Sequence, residues 1–238
     1  MAIQTKFVRN ALVYYDDRYP ARWVDAVGEN VVKWELDLGP AQSAANVLSR
    51  FATTTAEATI AQAVTAGDRL LITTGVEEYN GTNMQLHGSA FRLTAGMPLY
   101  FGARVATEAA NKGDYLIGLC GVDTALLNTA SSHGLDVDED GVYFYQLNAG
   151  TTWTAVNQAG ATINSVATGL VRGANIKRDL EFFFDGATLT FYADGIKVGS
   201  LASGLAPKIL TPSINVRAGD ADAEQLNIEW MRAIQVRG

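Results

Sequence analysis

The chain is 238 residues long and carries 25 acidic against 18 basic side chains, a formal charge of −7. That balance excludes a nucleic-acid backbone as partner, because phosphates are bound by clustered Lys and Arg and the densest basic spot here is the pair Lys177-Arg178. Apolar runs stay short of the ~18–20 residues of a membrane helix, so no membrane partner is expected, and a single cysteine, Cys120, excludes an internal disulfide.

The first residues, MAIQTKFVRN, lack the apolar h-region of a secretory signal, so synthesis in a cytoplasm is expected. Residues 1–20 hold Phe7, Val8, Leu12, Val13, Tyr14 and Tyr15, and Asp16-Asp17-Arg18 with Tyr19-Pro20 breaks the run. They read either as an N-terminal arm that packs on another subunit or as the first strand of the sheet, since a chain end is ordered only when tied down. No linker-like stretch and no internal repeat follows, so the expected division is an arm over 1–20 and one domain over 21–238. In VVKWELDL at 31–38, Val32, Trp34, Leu36 and Leu38 alternate with Lys33, Glu35 and Asp37, which predicts a half-buried strand. Residues 41–66 are ambiguous, with a short helix or loop near 42–50 and a strand near 58–64. Strands are expected at 69–74, 86–93, 98–107, 115–122, 142–147, 152–157, 162–167 and 211–217, with a polar loop at 79–84. Cys120 lies inside the apolar run 115–122 and reads as a small buried hydrophobe. Near the end, Leu226, Ile228 and Trp230 alternate with Asn227, Glu229 and Met231.

The most explicit stretch is KRDLEFFFDGATLTFYADGIKVGS at 177–200. Asp185-Gly186 and Asp194-Gly195 each separate two strand-like runs, and Asp-Gly favours a type I′ hairpin turn, which needs φ > 0 at both central residues. Two such turns predict a three-stranded meander. Leu180, Phe182 and Phe184 fall on one face and Phe183 on the other, so this strand should be covered on both sides. Strands at roughly 8–12-residue spacing throughout predict an all-β antiparallel β-sandwich.

LTFYADGIKVG at 189–199 resembles the L-x-F-Y-x-D-G-x-x-V-G hairpin of the concanavalin A-like lectin/glucanase and laminin-G-like jelly rolls. The resemblance covers roughly 31–237. It implies a jelly roll whose last strand closes against the first through a buried aromatic, with Trp230 and Trp34 as candidates. Composition, acidic, cysteine-poor and rich in Thr, Ala and Gly, resembles that of bacteriophage virion proteins.

That fold hosts lectins, glycosidases and viral structural proteins, so chemistry has to be sought residue by residue. Its retaining glucanases carry Glu-x-Asp-x-Glu or Glu-x-Asp-x-x-Glu on one strand, the outer two acids about 5 Å apart. Here Glu35-Leu36-Asp37-Leu38 runs into Gly39-Pro40 where the second glutamate belongs, so no enzyme is expected. Asp136, Asp138 and Asp140 open like a calcium loop, but the twelfth position, a bidentate Glu in an EF-hand, is Leu147. An acidic turn is the simpler reading, and no cofactor is expected beyond a weak calcium site there.

The function expected from the sequence is that of a non-enzymatic virion structural protein, located on a capsid surface after synthesis in the bacterial host cytoplasm. It would decorate and stabilise a bacteriophage capsid by contacts from Phe7, Val8, Leu12, Val13, Tyr14 and Tyr15 to the major capsid protein or to copies of itself. The alternative is a lectin-like carbohydrate-binding module of a phage fibre or adhesion structure, with surface glycans as partner. Tyr79, Asn80, Asn83 and Trp153 are its candidate sugar contacts.

Overall fold

Successive side chains on a strand point to opposite faces, and the architecture follows from that alternation. The structure is a computed structural model and describes residues 2–37, 44–56, 61–65, 69–88, 90–107, 112–127, 139–148, 150–173, 175–202 and 204–238. Its strands are β1 (Ile3–Val8), β2 (Ala11–Asp16), β3 (Tyr19–Val27), β4 (Val31–Asp37), β5 (Phe51–Ala56), β6 (Ala61–Thr65), β7 (Arg69–Thr73), β8 (Gly81–Leu86) and β9 (Leu99–Thr107). They continue as β10 (Gly113–Cys120), β11 (Gly141–Gln146), β12 (Thr152–Ala159), β13 (Thr162–Val171), β14 (Arg178–Phe184), β15 (Leu189–Ala193), β16 (Ile196–Leu201), β17 (Thr211–Ala218) and β18 (Gln225–Val236). A short helix, α1 (Ala44–Leu48), lies between β4 and β5.

The described strands form three sheets. One is β1-β2-β3, a second is the seven-stranded β13-β12-β11-β10-β17-β8-β5, and the third is β16-β15-β14-β9-β18-β7-β6 with β4 also paired to β18. Described pairings are antiparallel, and the second and third sheets stack face to face as the expected sandwich. Their inner faces supply the main core. Phe182 stacks on Phe101 with centroids 5.0 Å apart, and Phe191 meets Phe144 edge-on at 5.9 Å. Aromatic rings dominate because each buries a large apolar area and offset or edge-on pairs add to it.

The meander β14-β15-β16 is present, and Phe183 shows why its first strand is apolar on both faces. Phe182 faces the core, while Phe183 faces outward onto Trp23, 5.2 Å away, beneath the N-terminal sheet. Ala11, Val13, Trp23 and Ala26 pack there against Tyr100, Ile234 and Val236, making a third layer. Residue 20 falls within β3, so pairing in this layer runs on to Val27.

The two Asp-Gly turns differ. Asp194 (φ 48°) and Gly195 (φ 78°) both have positive φ, as a type I′ turn requires. At the first turn only Gly186 does (φ 100°), and Asp185 Oδ1 instead accepts from the amides of Ala187 and Thr188, so this is a longer side-chain-capped loop.

Other expectations shift. Residues 81–84, read as part of a polar loop, belong to strand β8, whose Asn83 and Gln85 face the other way from Met84 in the core. Residues 87–98, read partly as strand, hold only the isolated bridge Phe91–Leu210 among the described residues. Residues 51–56, unassigned in the sequence, are strand β5. Trp34 is buried against Phe51, but Trp230 is not its core partner. A β-bulge between Ile228 and Trp230 reverses the parity of β18, so Met231 enters the core and Trp230 faces out.

Replacing Phe182 by Ala is expected to cost about 3–5 kcal/mol through the cavity it leaves, measured as a shift of the urea midpoint. Replacing Phe183 by Ala should instead raise protease cleavage within residues 2–27, because it removes the ring on which the N-terminal sheet rests.

Candidate functional site

Register places the outer face of the seven-stranded sheet. Across β8, β17, β10, β11 and β12 one inward row is Met84, Ile214, Ile117, Phe144 and Ala155. The rows beside it face outward, and they begin Asn83–Asn215–Leu116–Tyr145 and Gln85–Ser213–Gly118–Tyr143.

Part of this face is covered by the chain that leaves β10. Leu126 and Leu127 are buried against Leu116, Cys120, Tyr143 and Val156. Amides from β8 hold that segment through its backbone. Asn83 Nδ2 donates to Asp123 O at 2.7 Å, Gln85 Nε2 donates to Gly121 O at 2.7 Å, and Asp123 N donates to Gln85 Oε1 at 2.9 Å. Cys120 lies beneath, and burial pushes its thiol well above the ordinary range.

A hollow remains where the cover stops, lined by Thr54, Tyr79, Asn83, Thr124, Asn215 and Arg217, with several neighbours. Its volume is about 20 Å³, room for one water or one hydroxyl group. Arg217 donates from Nε (2.9 Å) and Nη2 (2.6 Å) to Asp114 Oδ2, and the pair is almost wholly buried. Asp114 Oδ1 also accepts from Asn148 N at 2.6 Å. The Tyr79 ring lies 5.3 Å from the Arg217 guanidinium. Its backbone is left-handed (φ 69°) and donates to Ala218 O at 2.9 Å, a conformation that persists in a non-glycine only when its surroundings hold it. Hydrogen bonding to the Glu78 carboxylate raises the Tyr79 phenol above its ordinary pKa.

Tyr79 and Asn83 are therefore brought together, and Asn80 is buried beside them in the chain. Trp153 is not with them. It is 1% exposed and lies in the core 6.3 Å from Tyr115, so its ring offers no face to a sugar. Parity explains this, since Thr154 next to it takes the outward position opposite Tyr145. Asn215 and Arg217 were missed in the sequence. Their alternation with Ile214 and Val216 marks a polar face, but which strands lie beside it is long-range information.

The acidic candidates separate too. Glu35 is on β4, outside the seven-stranded sheet, and pairs with Arg232 at 2.8 Å. Asp136 and Asp138 lie outside the described residues. Asp140 is buried and accepts from Gly160 N at 2.7 Å, which ties it to the β12–β13 turn. Among the described residues no group of three or more His, Cys, Asp or Glu is placed to hold a metal ion.

The N-terminal residues divide by parity. Val13 is buried, and Val8 and Tyr15 pack with it against the chain's own sheet. Phe7 and Leu12 are cross-strand partners on the opposite face, as is Tyr14, and Val27 extends the Phe7–Leu12 row. Phe7 is 78% and Val27 57% exposed.

No protein-family model and no curated protein matches the sequence. Solved structures do match. The Emp47p carbohydrate recognition domain superposes with a TM-score of 0.59 at 13% identity, covering 84% of this chain and 94% of that one. A β-1,3-glucanase from Mycobacterium marinum gives 0.57 at 13%, covering 87% and 99%, and an endo-β-1,4-glucuronan lyase from Trichoderma reesei gives 0.55 at 9%, covering 84% and 94%. At these identities the likeness is one of fold: the chain is an antiparallel jelly-roll sandwich that matches the concanavalin A-like fold of these lectin and glucanase structures. That fold is shared by proteins that recognise sugars and proteins that cleave them.

Replacing Asp114 by Asn removes the charge of the carboxylate to which the buried Arg217 donates. The expected cost is about 3–5 kcal/mol, read from the urea midpoint; a loss below about 1 kcal/mol would show that water reaches the guanidinium.

Proposed function

We propose that this chain is a non-catalytic carbohydrate-recognition module that binds sugar at the Tyr79 end of the seven-stranded face. The observation that carries the reading is the set of groups around one hollow: the Tyr79 ring, the amides of Asn83 and Asn215, the hydroxyls of Thr54 and Thr124, and Arg217. Amides and hydroxyls both donate and accept, as sugar hydroxyls do, and a phenol ring presents an apolar face to a pyranose. The hollow admits one hydroxyl, so the sugar would lie across its mouth against Tyr79. Glycoside hydrolysis by the usual route needs two carboxyl groups about 5–9.5 Å apart across the scissile bond. Asp114 is neutralised by Arg217 beneath the face, and Glu35 is engaged by Arg232 elsewhere. The shared fold with the Emp47p carbohydrate recognition domain supports the same class.

Glycan-array binding followed by titration calorimetry tests this. Tyr79→Ala and Asn215→Ala should each weaken the bound glycan at least tenfold, with no sugar released from polysaccharides by the parent protein. Absence of any glycan ligand, or hydrolysis lost on Glu35→Gln, would sink the reading.

A second reading, a virion structural protein that decorates and stabilises a bacteriophage capsid, is favoured by the Phe7–Leu12–Val27 row, whose two end residues are exposed. An apolar row across three strands with exposed ends suits burial against a major capsid protein or another copy of this chain. Phe7→Glu should then abolish co-sedimentation with capsids while leaving the unfolding midpoint unchanged. Undiminished decoration by that variant would reject the reading.

A further inference from the structure

The outer face of the sheet built on β18 holds a larger cavity that the sugar site does not use. It is assembled around a missing side chain. Gly102 on β9 faces outward between Tyr100 and Arg104 on its own strand, with Glu181 of β14 and Arg232 of β18 across from it. A Cβ at Gly102 would lie 2.3 Å from the Tyr100 hydroxyl and 3.0 Å from Trp230 Cζ3, so only glycine lets the phenol and the indole lie down against the strand. Trp230 is on this face because of the bulge before it. Strand β3 closes the side with Arg22 and Val24, and the resulting cavity measures about 240 Å³.

Among the described residues its lining contains three arginines, an indole, a phenol and a valine, and no carboxylate. The carboxylates stand behind the arginines and fix them. Asp179 accepts from Arg104 Nε (2.6 Å) and Nη2 (2.9 Å) and from Arg22 Nη2 (3.1 Å). Glu181 accepts from Arg22 Nε and Nη2, both at 2.6 Å, and from the Tyr100 hydroxyl at 2.7 Å. Two guanidiniums are thus held side by side on one carboxylate, and the Nη1 groups of Arg22 and Arg104 have no partner among the described residues. The guanidiniums of Arg232 and Arg104 lie 5.0 and 6.0 Å from the Trp230 ring. Arg232 itself donates from Nη1 to Val24 O at 2.7 Å, which ties β3 to the cavity wall.

We propose that this cavity binds the terminal residue of an acidic saccharide, a uronate whose carboxylate takes the Nη1 groups of Arg22 and Arg104 and whose ring lies against Trp230. Paired guanidiniums match a planar carboxylate, and an indole flanked by cations offers an apolar surface for a sugar ring beside them. The cavity falls below the roughly 300–1,000 Å³ of pockets for drug-sized ligands, which selects a single ring. The formal charge of −7 disfavours an extended polyanion along the surface and leaves a chain end as the ligand. This site lies on the opposite side of the sandwich from Tyr79 and does not rest on the reading proposed there.

Nuclear magnetic resonance titration with methyl glucuronide, methyl glucoside and acetate separates the two halves of the ligand. The glucuronide should bind at least tenfold more tightly than either the neutral ring or the bare carboxylate. Trp230→Ala and Arg104→Gln should each weaken it at least tenfold. Because Arg104→Gln disturbs Asp179, Val24→Phe provides a second variant that fills the cavity with every arginine in place and should block binding. Equal affinity for glucoside and glucuronide, no glucuronide binding, or binding untouched by Trp230→Ala and Val24→Phe would overturn the proposal.

Discussion

The long strand β18 is the constraint on which the rest of the structure depends. It pairs with β9 along most of its length, with β7 over its first residues and with β4 over the remainder. It also ends against the N-terminal layer through Ile234 and Val236. A strand held by three partners cannot slip without moving its whole apolar set to the wrong face. The bulge before Trp230 is where its two halves are reconciled. Leu226 and Ile228 face the core ahead of it, and Met231 and Ala233 after it. One inserted residue therefore keeps both halves buried and turns an indole outward.

Both sheets expose a second face that is too apolar to leave in water, and each is covered in part by the chain's own segments. Trp23 and Val13 cover the region of Phe183 and Tyr100 on one side. Leu126 and Leu127 cover Leu116 and Tyr143 on the other. Burying this surface stabilises the fold, and it also decides where ligands have access. Polar groups collect at the margins of the two covers, Tyr79 with Asn215 and Arg217 at one, Arg22 with Arg104 and Trp230 at the other. At both margins acids hold arginines in place, buried Asp114 for Arg217 and half-buried Asp179 for Arg104.

Much of the fold was legible because its signals are local. Alternation in VVKWELDL and LEFFF, and the positive φ that Asp194-Gly195 supplies, need nothing beyond neighbouring residues. The doubly apolar character of β14 even announced a third layer, though not what formed it. Less of the candidate site was legible. Tyr79 and Asn83 were picked out as polar groups in a loop, yet Asn83 is on a strand and donates one amide hydrogen to Asp123 O. Trp153 was chosen for its chemistry, and burial removed it. Asn215 and Arg217 join the site only because β17 sits between β10 and β8, a neighbour relation spanning more than a hundred residues of chain.

By itself, then, the sequence determined most of the strands, many of their apolar faces, the second hairpin turn and the all-β sandwich, because period and turn chemistry act over a few residues. Only the tertiary structure decided which strands are neighbours, where β18 bulges, and which surfaces the N-terminal sheet and residues 121–127 cover. These depend on long-range packing that no local pattern encodes. The meander at 177–200 carries both lessons. Its alternation and its second turn were plain from the letters, whereas Phe183 acquired its meaning only when Trp23, far away in the chain, came to rest on it.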